Sequence, residues 1–351
     1  MRSQDKSLFH RIHSYVPASL AQRSSDAAFR LSGRPFVYHD ETSHPRGGFS
    51  RGVVTFSIDF EMAWATQYSR YAKEDCVVVG LREREQVPRI LSRMNDLNIA
   101  ATWATVGHLF LKRCSRDGGD LPHPELPRVP HFDGHWKFTS GDWFQRDPCT
   151  DYRTDPAWYA PDLIETILAS SVKHEIGCHG FSHLGFGSYC PEEVASAELD
   201  ACLEVMKPYG IRPRSFVFPG NDVGKLELLA RKGFLAVRTF PVGRAEISLP
   251  LRLREGIWGV HSSVAVDVDD RILDYGRRCE RLKKFTDRAA QTGLAAHFWF
   301  HPSLQQRQME EILFPLLDYC GAMRDKGKLD ILTMEQLVMA TESAMQQQGA
   351  R

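Results

Sequence analysis

The chain has 351 residues, 42% of them hydrophobic, with 44 Lys and Arg set against 44 Asp and Glu. That neutral balance provides no field to draw in nucleic acid or an anionic membrane surface, which argues against a polyanion-binding role. No apolar run approaches the roughly 18 residues that span a bilayer, and the length is ample for a buried core, as one large α/β domain or two smaller ones.

Residues 1–50 read as an N-terminal extension, with Gly47-Gly48 as a joint. Its first residues, MRSQDKSLFHRIHSYV, lack the apolar core of an export signal, so the expected location is the cytoplasm. Residues 8–20 read as a weakly basic amphipathic helix that packs against the body. The apolar, β-branched run 53–59 (VVTFSID) predicts a buried strand; a helical pattern over 82–97 passes through Asn98 into a second strand, 99–105. Residues 112–160 form a long insertion rich in Pro, His and aromatics, with Trp136, Trp143 and Trp158 either lining a cleft or forming a small core of its own.

Pro161 opens a helix expected over 161–174, which leads to a short strand before His179. Pro191-Glu192-Glu193 starts the next helix, with Val194, Ala197, Ala201 and Val205 along one face and Gly210 past its end. Strands at 214–218, 235–239, 294–300 and 329–332 follow, separated by helices near 224–232 and over 271–292 and by a further helical stretch. Thr333 and Gln336 form a capping box for the last helix. Seven strands alternating mostly with helices indicate an α/β fold with a parallel sheet or barrel, a single domain over 51–345. The eight cysteines include no C-x-x-C and read as reduced thiols, Cys178 among them as a buried one.

Ligand-type side chains gather at three strand ends, where barrels of this kind place their chemistry. In SIDFEMAW, Asp59 and Glu61 stand two apart, so an extended backbone points both to one side. In HEIGCHGFSH, His174-Glu175 is followed by three residues before His179, which excludes the zincin helix; His179 and His183, at i and i+4, can aim two imidazoles at one cation. In HFWFHP, His297 and His301 bracket the end of a strand that Pro302 stops. One carboxylate and two histidines make a common open zinc site; a second carboxylate and another histidine supply a base and an acid. His174 and His297 read as structural.

With these motifs in hand, the chain over about 50–340 resembles the polysaccharide deacetylases with a NodB-type domain, carbohydrate esterase family 4. The segments NIAATWATVGHLFL, HEIGCHGFSH, SFVFP and HFWFHPSL fall in that family's order. The resemblance implies an irregular (β/α) barrel of about seven strands and a divalent metal, usually zinc. It implies His179 and His183 as metal ligands and His301 as the general acid. The family's consecutive Asp-Asp is replaced here by Asp59 and Glu61: Asp59 is assigned as base and Glu61 as third ligand, with the reverse left open. An arginine that commonly steadies the base is replaced by Val217, and the alternative position after the proline by Gly220; Arg214 or a residue from elsewhere is expected to substitute. Trp64 and Asn221 are candidate substrate contacts, Trp64 by stacking on a sugar unless it only packs. The implied activity is removal of an N-acyl group, most simply acetyl, from an amino-sugar glycan or a lipid- or nucleotide-linked precursor. The alternatives are a small-molecule amidase acting on a formamide or ureide, and a carbohydrate-binding pseudoenzyme.

Overall fold

The structure, a computed structural model, describes residues 48–67, 73–116, 121–131, 138, 140–239, 247–267 and 274–349. The helix expected over 8–20, nearly all of the extension and Trp136 lie outside these residues. The described chain is built on one ten-stranded, mostly parallel sheet, curled into a half-barrel with helices around it.

Its spine is β1 (Gly52–Phe60), every residue of which is buried. A strand covered on both faces is expected to be apolar throughout rather than alternating, and GVVTFSIDF nearly is. β1 pairs in parallel with β2 (Thr102–Thr105) at its C-terminal half and with β10 (Leu329–Ile331) at its N-terminal half. On its other edge lies β9 (Ala295–Phe300), in a register that sets Ser57 beside Trp299. Beyond β2 follow β3 (Glu175–Cys178), β4 (Ser215–Phe216), β5 (Ala236–Thr239) and β7 (Trp258–His261), with β6 (Leu251–Arg252) antiparallel at that edge and β8 (Val264–Ala265) beside β9. Each of the seven expected strands has its counterpart. The three additional ones, β6 to β8, are two to four residues long, too short to carry a period.

The helices differ from expectation chiefly in extent. α1 (Lys73–Asp96) starts earlier than expected and carries Pro88 within it, whereas α2 (Pro161–Leu168) stops well before 174. α3 (Glu192–Met206) buries Val194, Ala195, Glu198, Leu199, Cys202 and Met206, a face rotated from the one expected through Ala197, Ala201 and Val205. The reason is Glu198: a carboxylate occupies the middle of the inward stripe, and a reading of apolar periodicity steps around it. Gly210 closes the following turn in the left-handed conformation, as expected.

After α4 (Leu226–Arg231) comes α5 (Tyr275–Thr292), whose Arg277 amide is capped by Asp274. It lies so close to β1 that a Cβ on Gly52 would stand 2.3 Å from the Ala289 backbone. α6 (Phe314–Asp325) and α7 (Met334–Gly349) complete the wall. The capping box at the start of α7 forms reciprocally, the Thr333 N–H donating to Gln336 Oε1 at 3.0 Å and the Gln336 N–H to Thr333 Oγ1 at 3.3 Å. No helix among the described residues is long and apolar enough to cross a membrane.

His174, just before β3, plays a structural part: its Nδ1 accepts a hydrogen bond from the Ala101 N–H at 3.2 Å, and burial pushes its pKa down to about 4. The unfolded chain, with an imidazole pKa of about 6.5, therefore takes up this proton first as pH falls. Stability from this group is complete above about 6.5 and declines toward about 4. We predict that the unfolding midpoint falls across this window, and that His174→Asn, whose amide oxygen can accept the same N–H without titrating, removes part of that slope. An unchanged slope would rule the contribution out.

Candidate active site

The end of β1 delivers two carboxylates to a point without solvent: Asp59 is 2% and Glu61 3% exposed. Immediately beyond, Met62 takes a positive φ of 52° and the chain enters a 3₁₀ turn, Met62–Ala65. The amides of Glu61 and Met62 donate to Glu83 Oε2 on α1, at 3.3 and 2.8 Å, which fixes how the turn leaves the strand. Burial, reinforced by the charge of Glu61, pushes the Glu83 carboxyl up to about 8.

The two histidines arrive from the loop after β3. Gly180 and His183 both have positive φ, 71° and 61°, so this is a tight loop and not a helical turn. Glu198 holds it: one carboxylate oxygen accepts from the Phe181 and Ser182 amides at 3.0 and 2.9 Å, the other from Ser182 Oγ at 2.6 Å. The Trp143 indole N–H also donates to Ser182 Oγ, at 2.8 Å, tying the insertion to the same loop.

His179 Nδ1 lies 2.8 Å from the Val217 carbonyl, which can only accept, so Nδ1 carries a proton. Its Nε2 is 2.7 Å from Glu61 Oε1, and His183 Nε2 is 3.0 Å from the same oxygen. A neutral His179 thus turns a lone pair toward a carboxylate oxygen, an arrangement that repels unless positive charge is shared between them, as a second imidazole proton or a metal cation. One carboxylate oxygen and two imidazole nitrogens, lying within 4.8 Å of one another, are a donor set suited to a borderline divalent cation. Burial favours a neutral Glu61, but the charges of His183 and His301 and the two imidazole contacts hold it well below the usual carboxylate range.

Asp59 faces a different partner. Arg238 on β5 grips it with a two-pronged contact, Nη1 to Oδ1 at 2.5 Å and Nη2 to Oδ2 at 2.6 Å, with both side chains buried. The guanidinium lies 4.5 Å over the Trp299 ring and donates to Ser57 Oγ at 3.1 Å and to Asn221 Oδ1 at 3.3 Å. Ser57 Oγ lies 2.8 Å from His297 Nε2; burial, with Arg238 close by, pushes His297 down to about 3, so this histidine is neutral. Arg238 therefore takes the place that Val217 and Gly220 leave vacant. The register that pairs Phe216 with Val237 brings Val217 alongside Arg238, one strand over at the same level. Arg214 is elsewhere, donating to the Gly233 carbonyl and 3.8 Å from Glu335. The signal in the sequence is a cation inside the apolar strand LAVRT.

His301 completes the group. Its Nδ1–H donates to Asp267 Oδ2 at 2.7 Å; its Nε2 is 3.8 Å from Glu61 Oε1 and 3.9 Å from Asp59 Oδ2. Burial opposes its charge, yet Asp267, Glu61 and Asp59 together hold the imidazole well above its ordinary value. Its side chain is 29% exposed, whereas Asp59, Glu61, His179 and His183 are nearly fully buried. The proposed acid is thus the member of the group nearest to solvent.

Of the two readings of Trp64, stacking on a sugar or packing, its surroundings fit packing. It is fully buried, donates its indole N–H to the Trp158 carbonyl at 3.2 Å and packs edge-on to Trp158, leaving no ring face for a sugar. Asn221 is exposed beside the site, and its side-chain Oδ1 accepts from Arg238. Trp143 and Trp158 are buried and join the main hydrophobic core, so the insertion packs into the body of the fold. Cys178 points at Cys202, with the two sulfurs 3.0 Å apart, and faces none of the candidate ligands.

Removing one partner of a buried charge pair costs about 3–5 kcal/mol, because the other is left uncompensated. Arg238→Met is accordingly expected to lower unfolding free energy by about that amount, and Asp59→Asn in the same chain to restore part of it. A strictly additive double mutant would show that the two side chains are not coupled.

No family profile and no curated protein sequence matches this chain. Similar solved structures are found. A protein from Mycobacterium smegmatis, provisionally described as a polysaccharide deacetylase, is 15% identical with a TM-score of 0.57, covering 89% of this chain and 94% of that one. The PuuE allantoinase is 14% identical with a TM-score of 0.55, covering 88% and 96%. A probable polysaccharide deacetylase from Pseudomonas aeruginosa PAO1 is 11% identical with a TM-score of 0.55, covering 88% and 97%. At these identities the likeness is one of architecture, and the chain has the (β/α) fold of the NodB-type polysaccharide deacetylases.

Proposed function

We propose that the protein is a metal-dependent hydrolase that removes an N-acyl group, acetyl in the simplest case, from an amino-sugar glycan or glycan precursor. The observation that carries the reading is the convergence of His179 Nε2 and His183 Nε2 on Glu61 Oε1 at 2.7 and 3.0 Å, with His301 Nε2 3.8 Å from that same oxygen. Glu61, His179 and His183 would hold the cation. The fit lies in the donor set: three convergent atoms, with the tautomer of one imidazole fixed by a backbone carbonyl. Zinc is among the divalent ions that imidazole and carboxylate donors suit. When bound, it would polarise the acyl oxygen and acidify a water.

The chain's own residues divide the proton work. Asp59 faces Arg238 and not the imidazoles of His179 and His183, which favours it as the base that takes the proton from the attacking water. Arg238 orients that carboxylate and supplies its counter-charge. His301, charged and braced by Asp267, is placed to give its proton to the departing sugar nitrogen, which leaves as an amine.

A second reading, a small-molecule amidase, is favoured by the near-complete burial of four of the five polar groups and by the equally similar fold of an allantoinase. A screen for acetate release from N-acetylated sugars, run beside one for ammonia and carboxylate release from formamides and ureides, separates the two.

Within either reading His179→Ala should lose the metal, and activity with it. His301→Ala should keep the metal while turnover falls by about 10²–10⁴, the usual contribution of one general acid. Metal analysis of both variants decides the matter: full occupancy in His179→Ala would refute the ligand assignment.

A further inference from the structure

A second cluster of ligand-type side chains lies in the insertion, away from the acids of β1. It comprises His108, in the 3₁₀ turn Gly107–Phe110 that follows β2, with Cys114, His123 and Asp147. One atom from each, His108 Nε2, His123 Nε2, Asp147 Oδ2 and Cys114 Sγ, can be chosen so that all lie within 4.8 Å of one another. His108, His123 and Asp147 are 0%, 5% and 1% exposed.

The geometry around Asp147 identifies what this group is for. Oδ1 is satisfied by the Cys149 amide at 2.9 Å and by Tyr159 Oη at 3.1 Å. Oδ2 instead faces His123 Nε2 at 2.7 Å, His108 Nε2 at 2.9 Å and Cys114 Sγ at 3.5 Å. Three polar atoms crowd this one oxygen, more than its two lone pairs can serve as hydrogen bonds. The His108 contact is close but misaligned, leaving Nε2 without a hydrogen-bond partner in a fully buried side chain. Its Nδ1 lies 3.3 Å from the Trp158 carbonyl, an acceptor, which places the proton on Nδ1 and a lone pair on Nε2. His123 is built alike, with Nδ1 3.3 Å from Glu125 Oε1 and Nε2 turned inward. Metal-bound histidines have this arrangement, the outer nitrogen donating to a carbonyl or carboxylate.

We propose that His108, Cys114, His123 and Asp147 bind a second divalent cation, of the zinc class, as a structural centre. A thiolate with two imidazoles selects zinc over magnesium or calcium. Four protein ligands close a tetrahedral shell, which marks a site for holding the chain together and not for hydrolysis. Tetrahedral zinc with bonds of about 2.0–2.3 Å sets its ligand atoms about 3.3–3.8 Å apart, so the cluster reaches that geometry by shifts within side-chain reach. The ion would tie both ends of the insertion to the β2 loop. Phe181 of the metal-binding loop packs on both of its histidines, with ring centroids 5.6 Å from His108 and 5.4 Å from His123. The centre thus buttresses the loop bearing His179 and His183.

The test uses the full chain loaded with Co(II), which takes zinc's place and reports a sulfur ligand through a thiolate-to-cobalt charge-transfer band in the near ultraviolet. The wild type should show that band, and Cys114→Ser should lack it and carry one metal equivalent fewer by elemental analysis. His123→Gln should lose the same equivalent. His183→Ala, which alters only the β1 centre, should keep the band, so failure there and failure here read separately. A wild type without the band, or a Cys114→Ser variant with unchanged metal content, overturns the proposal. Should His123→Gln not fold, the wild-type and Cys114→Ser spectra decide alone.

Discussion

Two carboxylates, two residues apart, leave water together at the end of β1, and much of the site can be understood as the supply of positive charge to them. An ionised carboxyl buried without a partner would cost several kcal/mol or give up its charge. Asp59 and Glu61 meet this demand in different ways. Asp59 receives a rigid guanidinium, two bonds on two oxygens, which holds it in one orientation. Glu61 receives imidazoles, whose charge depends on protonation and whose ring nitrogens are of a kind that binds cations. Chemically, the pair is sorted by its partners, one oxygen set committed to a fixed cation and the other to exchangeable ones.

Around that core the scaffold is arranged to deny freedom. The loop with His179 and His183 carries left-handed residues at 180 and 183 and is gripped by a buried glutamate from α3, so its shape is set by backbone amides and not by the ligand. Glu83 does the same for the turn after β1. Both buried acids lie on the inward faces of helices, Glu83 among Val87, Ile90 and Met94 and Glu198 among Val194, Leu199 and Cys202. Placing unsatisfied amides over a carboxylate offsets its desolvation, and it converts two flexible strand ends into fixed mounts for chemistry.

How much of this could be read from the chain follows from the physics of each signal. Strands long enough to show apolar continuity were legible, and so was the capping box at Thr333 and Gln336, because each is a local pattern. β6 to β8 were not, being too short. The histidine pair was legible by its spacing, but its neighbours in space were not: Glu198 breaks an apolar stripe, and only the amides it faces explain it. Arg238 sat in plain view within LAVRT, yet nothing local says that a buried arginine in β5 answers an aspartate in β1. Trp64 was ambiguous for the opposite reason. Proximity to the acids in sequence suggested the mouth of the site, whereas the 3₁₀ turn folds the indole back into the core beneath it.

The sideways step of the guanidinium, from the strand with Val217 to its parallel neighbour, has a wider meaning. Parallel strands in register are interchangeable addresses: a side chain at the same height on either one reaches the same point above the barrel mouth. A cation can then migrate between them over generations, each position tolerating the loss once the other is filled. The letters of one motif miss this arginine, whereas charge tallied by height around the barrel finds it.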